Sequence, residues 1–329
     1  NQALHIMRAE VPGPTVGKIV AKMNYNSRIL YIIYISMIII LIIFLLLGGM
    51  PLFDACIHAF GTAGTGGFSC KNTSIGFYNS AYIDYVTSIG MIAFGLNFNL
   101  FYLLILGNIK QVFKSEEARY YLSIIFIATT LICLNIRPFY SSISRMIRDV
   151  FFTVSSIITT TGFSTVDFDK WPTFSKTILM FLMFCGACAG STAGGFKVSR
   201  LVILIKRFVR EFKKIGHPNK VLNIKLEGKT LDKDMLEGVD SYFILYSVIL
   251  FILLLITAWD SDSFITALSA VLATFNNIGP GLGAVGPTSN FASYSAFTKI
   301  VLSLGMLLGR LEIIPLLILV SPRIYRKRD

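Results

Sequence analysis

Three stretches of this chain set glycine among hydroxyls and amides at matching positions. They are Gly64-Thr65-Gly66-Gly67-Phe68-Ser69, Ile157-Ile158-Thr159-Thr160-Thr161-Gly162-Phe163-Ser164-Thr165 and Asn276-Asn277-Ile278-Gly279-Pro280-Gly281. Each follows a short apolar segment and precedes a long one. Glycine takes up backbone conformations that other residues resist, so several carbonyls can turn toward one axis. A ring of such carbonyls can replace the hydration shell of a cation. The chemistry on offer is ion coordination without side-chain charge, with the three loops as walls of an ion filter. One copy would say little, because hydroxyls and glycine also serve close helix packing. Three copies in order say more. Gly67 and Gly162 are 95 residues apart, and Gly162 and Gly279 are 117 apart, so a unit repeats.

The elements that must hold these loops are membrane spans. The sequence is 54% hydrophobic and 15% charged, with a mean hydropathy of +0.68. Those values belong to helical membrane proteins. Ile29–Leu47 has 19 residues and no charge, and Tyr85–Ile109, Tyr120–Ile136, Thr177–Phe196 and Ser241–Trp259 are similar. Roughly 20 apolar residues cross a bilayer. Residues 1–28 precede the first run and no small-residue cleavage site follows it, so it is not a cleaved signal. Leu52–Phe60, Asp149–Ile158 and Ser263–Phe275 are too short to cross. They can enter partway and return through the glycine loops, since irregular backbone at membrane depth is tolerated where it lines protein or water. A short helix whose C-terminal end faces its loop also favours a cation there.

The expected fold is an all-α polytopic membrane protein. Repeated units of span, pore helix, filter loop and span surround a central pore. Residues 1–28 read as an N-terminal linker, 29–118 as one unit and 119–211 as a second with a broken inner helix. Residues 212–239 read as a hairpin linker, and 240–329 as a third unit with a basic tail. In the linker, His217–Lys220 and Glu227–Lys229 look like turns flanking a strand at Val221–Leu226.

The net charge of +12 does not point to nucleic acid. Of the 30 Lys and Arg, 22 lie before the first span, at 110–119, from Lys197 to Lys233, or at the C-terminal end. They alternate with the glycine loops, which puts both ends of the chain and the basic linkers in the cytoplasm. Arg137, Arg145 and Arg148 fall on the opposite side and run against the pattern. The five cysteines form no framework: Cys133, Cys185 and Cys188 lie inside spans and Cys56 in a short segment. His5, His58 and His217 are scattered without metal-ligand spacing. No paired carboxylates or His/Asp set lies within the spans, so the chain does not read as an enzyme.

Two further features lie inside spans. Lys176–Arg200 is interrupted by Gly186 and by Gly190-Ser191-Thr192-Ala193-Gly194-Gly195, a run that breaks a helix or invites very close packing. Arg310 sits mid-span with Glu312 two positions on. A central arginine costs roughly 2.5–3.5 kcal/mol on insertion scales, so it needs a pore, a carbonyl or another helix. Asn97 and Asn99 could line a pore or bond between helices.

Three such units resemble the Trk/Ktr/HKT superfamily of potassium transporters, nearest its bacterial TrkH type. The Thr-Thr-Thr-Gly-Phe-Ser and Asn-Asn-Ile-Gly-Pro-Gly-Leu-Gly loops carry the likeness, with Arg8-Ala9-Glu10-Val11-Pro12-Gly13-Pro14 and Leu308-Gly309-Arg310-Leu311-Glu312. The family folds four repeats and this chain shows three. The resemblance therefore implies family repeats two to four, with the first absent. It implies filter glycines at Gly67, Gly162 and Gly279. Thr65, Gly66, Thr160, Thr161, Asn277 and Ile278 would contribute carbonyls for K⁺, and Phe68 and Phe163 would follow. Gly190–Lys197 would be an intramembrane gate loop and Arg310 its pore arginine. The implied activity is K⁺ uptake across a bacterial inner membrane, with K⁺ as the transported ion and no organic cofactor. The implied partners are membrane lipid, a second copy and a cytoplasmic nucleotide-binding ring protein of the TrkA/KtrA type. The rival reading is K⁺ or Na⁺ symport with H⁺ through Glu312.

Overall fold

Apolar runs with lipid-facing side chains dictate long helices, because only a helix satisfies every backbone group within one span. The computed structural model describes residues 23–216, 223–311 and 313. The Arg8–Pro14 stretch, His5, the His217–Lys220 turn, Glu312 and the basic tail lie outside the described residues.

Three units follow one another. In the first, α1 (Met23–Leu47) stops at Gly48-Gly49, and Pro51 opens α2 (Leu52–Ala63). The return begins with α3 (Ala81–Phe94), capped by the Ser80 hydroxyl. It is not the single span Tyr85–Ile109 that hydropathy predicts. The chain turns by 94° into α4 (Phe98–Ile105) and runs on into α5 (Ile109–Lys114). The reason is local. A side chain on Gly95 would strike the Tyr121 hydroxyl, and the Gly95 carbonyl accepts from Cys188 N–H at 3.1 Å. Asn97 then caps the new helix through Asn99 N–H at 2.9 Å.

In the second unit, α6 (Glu116–Ile136) is capped by Ser115 and ends at Arg137-Pro138. The short helix α7 (Ile143–Ile158) begins six residues earlier than the predicted Asp149, because Ser142 caps it. That extra turn carries Arg145 and Arg148, which pair with Asp149 at 3.8 and 3.5 Å, and Arg148 also with Asp84 at 3.4 Å. Two of the basic residues that ran against the charge pattern are therefore locally neutralised. Helix α8 (Thr173–Cys185) stops at Gly186, and α9 (Val198–Gly216) resumes after the glycine run.

The linker strand is shorter than predicted among the described residues. Here β1 (Lys225–Leu226) pairs antiparallel with β2 (Lys229–Thr230) around Glu227-Gly228. The third unit has α10 (Lys233–Trp259), α11 (Phe264–Phe275) and α12 (Ala296–Arg310).

Within each unit the short helix packs on its first span, and α7 also packs on α3 of the preceding unit. Tyr31, Ile32, Ile35, Ile39, Ile40 and Ile43 of α1 are exposed, a surface that suits lipid and not water. The largest buried cluster runs from α6 and α7 through Leu182, Cys188 and Val202 to Ile278 of the third unit. It seats the second unit between the other two.

Candidate functional site

The three glycine loops have the same backbone. The residue two before each glycine lies in the left-handed region: Thr65 at φ 49°, Thr160 at 56° and Asn277 at 57°. The glycines follow at 62°, 86° and 100°, and the residue between is not left-handed. The hydrogen bonds repeat too. Gly66 and Gly67 N–H both donate to the Gly61 carbonyl, at 2.8 and 3.3 Å. Thr161 and Gly162 donate to Ser156 at 3.0 and 3.3 Å, and Ile278 and Gly279 to Ala273 at 2.7 and 3.3 Å. Each loop thus returns its amides to its own short helix and leaves its carbonyls to point elsewhere.

Among the described residues, no protein donor bonds the carbonyl of Thr65, Gly66, Gly67, Thr160, Thr161, Gly162, Asn277, Ile278 or Gly279. Thr65, Thr160, Thr161 and Ile278 are nonetheless buried. Buried backbone carbonyls are ordinarily paired with protein, water or a ligand. The loops stand side by side. A Cβ on Gly67 would collide with the Thr161 carbonyl, and one on Gly162 with the Ile278 carbonyl. Beside Gly279, no described atom lies within 4 Å of that position. The partial negative ends of α2, α7 and α11 abut the loops and favour a cation between them.

The two phenylalanines part company. Phe163 is 1% exposed and wedged against His58 and Gly61 of the first unit. Phe68 is 76% exposed and lies over its own Gly66.

The 186–197 segment touches all three loops. The Thr65 hydroxyl reaches the Thr192 carbonyl at 3.0 Å. Gly194 N–H donates to Thr160 Oγ1 at 2.7 Å. A Cβ on Gly194 would lie 2.5 Å from the Asn276 carbonyl. Gly190 packs on the Asn97 side chain, and Ser191 Oγ donates to the Cys188 carbonyl at 2.6 Å. Gly186, Gly190, Gly195 and Lys197 all have positive φ, and Lys197 Nζ donates to the Ala193 carbonyl. Gly186 and Gly195 pack backbone to backbone, so neither position has room for a side chain. Asn97 was not legible as its neighbour, although the Gly95–Asn97 spacing is a helix stop and a cap.

Arg310 is the last residue of α12 and not the middle of a helix, so its charge meets the negative end of that helix. Its guanidinium crosses to the first unit, donating to the Gly64 carbonyl at 2.8 Å and to Thr65 Oγ1 at 3.3 Å. Arg310, Thr65 and Thr192 therefore meet at the base of one loop. Asn277 Nδ2 ties the third loop to the Met306 carbonyl at 2.9 Å, and Gly309 passes so close to the Phe275 carbonyl that no Cβ fits.

On the loops' other side, Asp169 joins two units. Its Oδ1 accepts from Gly283 N–H at 2.9 Å and Lys176 Nζ at 3.0 Å. Desolvation opposes its charge, but the Gly283 amide and the Lys176 ammonium prevail and hold the carboxyl below its ordinary range. A lowered carboxylate contributes stability that is full above about pH 4 and fades as pH falls through the folded value. Asp169→Asn should cost about 1 kcal/mol at pH 7, given the partial exposure. Melting curves of the two proteins should converge toward pH 3.

A re-entrant helix and glycine loop between crossing helices, repeated three times, defines a polytopic pore-loop membrane protein. The chain belongs to the TrkH family, whose model is described as a cation transport protein and matches residues 3–138 and 124–325. The chain is 36% identical over 330 residues to the Trk system potassium uptake protein TrkH of Salmonella typhimurium. That match covers 98% of this chain and 68% of the relative. It is 37% identical, with the same coverage, to the protein of that name from Escherichia coli. The crystal structure of the potassium transporter TrkH from Vibrio parahaemolyticus superposes with a TM-score of 0.86 at 33% identity. It covers 94% of this chain and 67% of that one.

Proposed function

We propose that this chain carries K⁺ into the cell through a filter of main-chain carbonyls. The observation that carries the reading is the set of carbonyls, bonded by no donor among the described residues, on three backbones of one geometry, each beside a helix C-terminus. Thr65, Gly66, Gly67, Thr160, Thr161, Gly162, Asn277, Ile278 and Gly279 supply them. A dehydrated monovalent cation fits donors of this kind, which are dipoles without net charge. The names of the relatives give the ion as potassium. Phe163 buttresses the filter from behind. Gly190–Gly195 and Arg310 form the gate beneath it, because they touch the filter base from the side of the basic segments.

The membrane is the bacterial inner membrane, with the basic linkers facing the cytoplasm. The protein works as a homodimer, under a nucleotide-binding ring protein that meets the β1–β2 hairpin. The test is ⁸⁶Rb⁺ uptake into liposomes by the full-length protein, with K⁺ and Na⁺ as competitors. Strong competition by K⁺, weak competition by Na⁺ and flux driven by voltage alone are expected. Equal competition by Na⁺, or flux that needs a pH gradient, would overturn the reading.

A further inference from the structure

Glu117 stands at the start of α6, far along the sequence from the glycine loops, and is buried. Its Oε1 accepts from Ala189 N–H at 2.6 Å and from Ser199 N–H at 3.2 Å. Ala189 leads into the Gly190–Gly195 run and Ser199 opens α9, so one carboxylate oxygen ties the two ends of the loop together. Two main-chain amides sharing one carboxyl oxygen make a directional tie.

The same helix start is held from outside the span. Glu227 sits in the hairpin turn with φ 51°. Its Oε1 accepts from the Ser115 hydroxyl at 2.9 Å and from Glu117 N–H at 3.1 Å. A parallel link runs through Lys206 of α9, which pairs with Glu116 and donates to the Lys225 carbonyl at 2.7 Å. The hairpin, the N-terminus of α6, the top of α9 and both ends of the loop are one connected polar network.

We infer that Glu117 is a positioning residue that holds the Gly190–Gly195 loop against the filter base, and that Glu227 sets where Glu117 stands. The inference rests on the gate reading above. A displacement of the hairpin moves Glu227, frees the first turn of α6 and releases both loop ends at once. The middle of the loop is bonded to the filter through Thr192 and Gly194, so a tie at both ends sets how the whole segment sits against it.

Intermediacy in space does not establish coupling, so the test is a double-mutant cycle. Basal ⁸⁶Rb⁺ flux is measured on the full-length protein in liposomes, with K⁺ as competitor and melting curves as the folding control. Glu117→Ala should raise maximal basal flux about tenfold and leave the half-competing K⁺ concentration unchanged, since the filter is not touched. Glu227→Ala should raise it about threefold, and the double variant no further than Glu117→Ala alone. Glu117→Gln keeps an acceptor oxygen and should restore most of the closed behaviour. Unchanged flux in a folded Glu117→Ala, or additive effects in the double variant, would overturn the inference. If Glu117→Ala does not fold, Glu227→Ala decides alone, and unchanged flux there overturns it. Arg310→Ala separates the two levels. Raised flux there with no effect at Glu117 leaves the gate standing and removes the brace. No effect at either removes the gate itself.

Discussion

Gly162→Ala should lower K⁺ flux about a hundredfold while the protein still inserts. Two effects add at this position. Its φ of 86° is a conformation that side-chain-bearing residues rarely hold. Its Cβ would also collide with the Ile278 carbonyl and stand 3.0 Å from Pro280 Cδ. A carbonyl in a hydrogen-bonded loop is not a flexible side-chain end, so the third loop must retreat and carry its oxygens off the axis. Overpacking of this kind costs about 2 kcal/mol and the strained φ about 1 kcal/mol more, and each 1.4 kcal/mol is roughly tenfold. Gly279→Ala is the matched control. Its φ of 100° is equally demanding, yet no described atom lies within 4 Å of the added methyl. Strain alone of about 1–2 kcal/mol predicts roughly a tenfold loss. Initial ⁸⁶Rb⁺ uptake at matched incorporation checks both. Wild-type flux and selectivity in Gly162→Ala would mean that the loops do not share an axis.

Arg310→Ala should act in the opposite direction and raise flux about tenfold. In the structure the guanidinium caps the Gly64 carbonyl and Thr65 Oγ1, on the same face where Thr192 meets Thr65. If the proposed path is right, it fills coordination that a passing cation would use and repels that cation as well. At an effective dielectric of about 20, a like charge roughly 8 Å away costs on the order of 2 kcal/mol. Removing it also frees a contact that spans from the third unit to the first. Arg310→Lys keeps the charge but not the two-pronged geometry, so it should leave flux intermediate. Single-channel or flux recordings with no cytoplasmic partner present give the readout. Lower flux in Arg310→Ala would make the arginine a conducting element and not a barrier.

The three loops were legible because their signal is local. A short apolar run that turns into hydroxyls around glycine survives without any knowledge of neighbours, and the spacing of Gly67, Gly162 and Gly279 repeats it. The breaks in the return helices were half legible. Six small residues at Gly190–Gly195 announce one break. The other hides in Gly95-Leu96-Asn97, where hydropathy stays high and only the helix stop and the cap betray a 94° turn. The left-handed Thr65 and Thr160 carry no sequence signal, because threonine seldom takes that conformation and is held there by the loop's own hydrogen bonds. Glu117 was the hardest to read. Beside Glu116 at a helix start it looks like ordinary first-turn acid, and its reach to Ala189 and Ser199 spans 72 and 82 residues of sequence. Long-range polar contacts of that kind belong to packing, which composition and periodicity do not encode.

The most direct measurement is crystallographic. Crystals of the full-length protein grown in Rb⁺ would be measured at the rubidium edge. Anomalous density between the Thr161 and Ile278 carbonyls, on the side shared by Gly67, Gly162 and Gly279, is the predicted result, and it should fade when Na⁺ replaces Rb⁺. Ordered Rb⁺ elsewhere in the protein, with none between the glycine loops, would contradict the carbonyl filter.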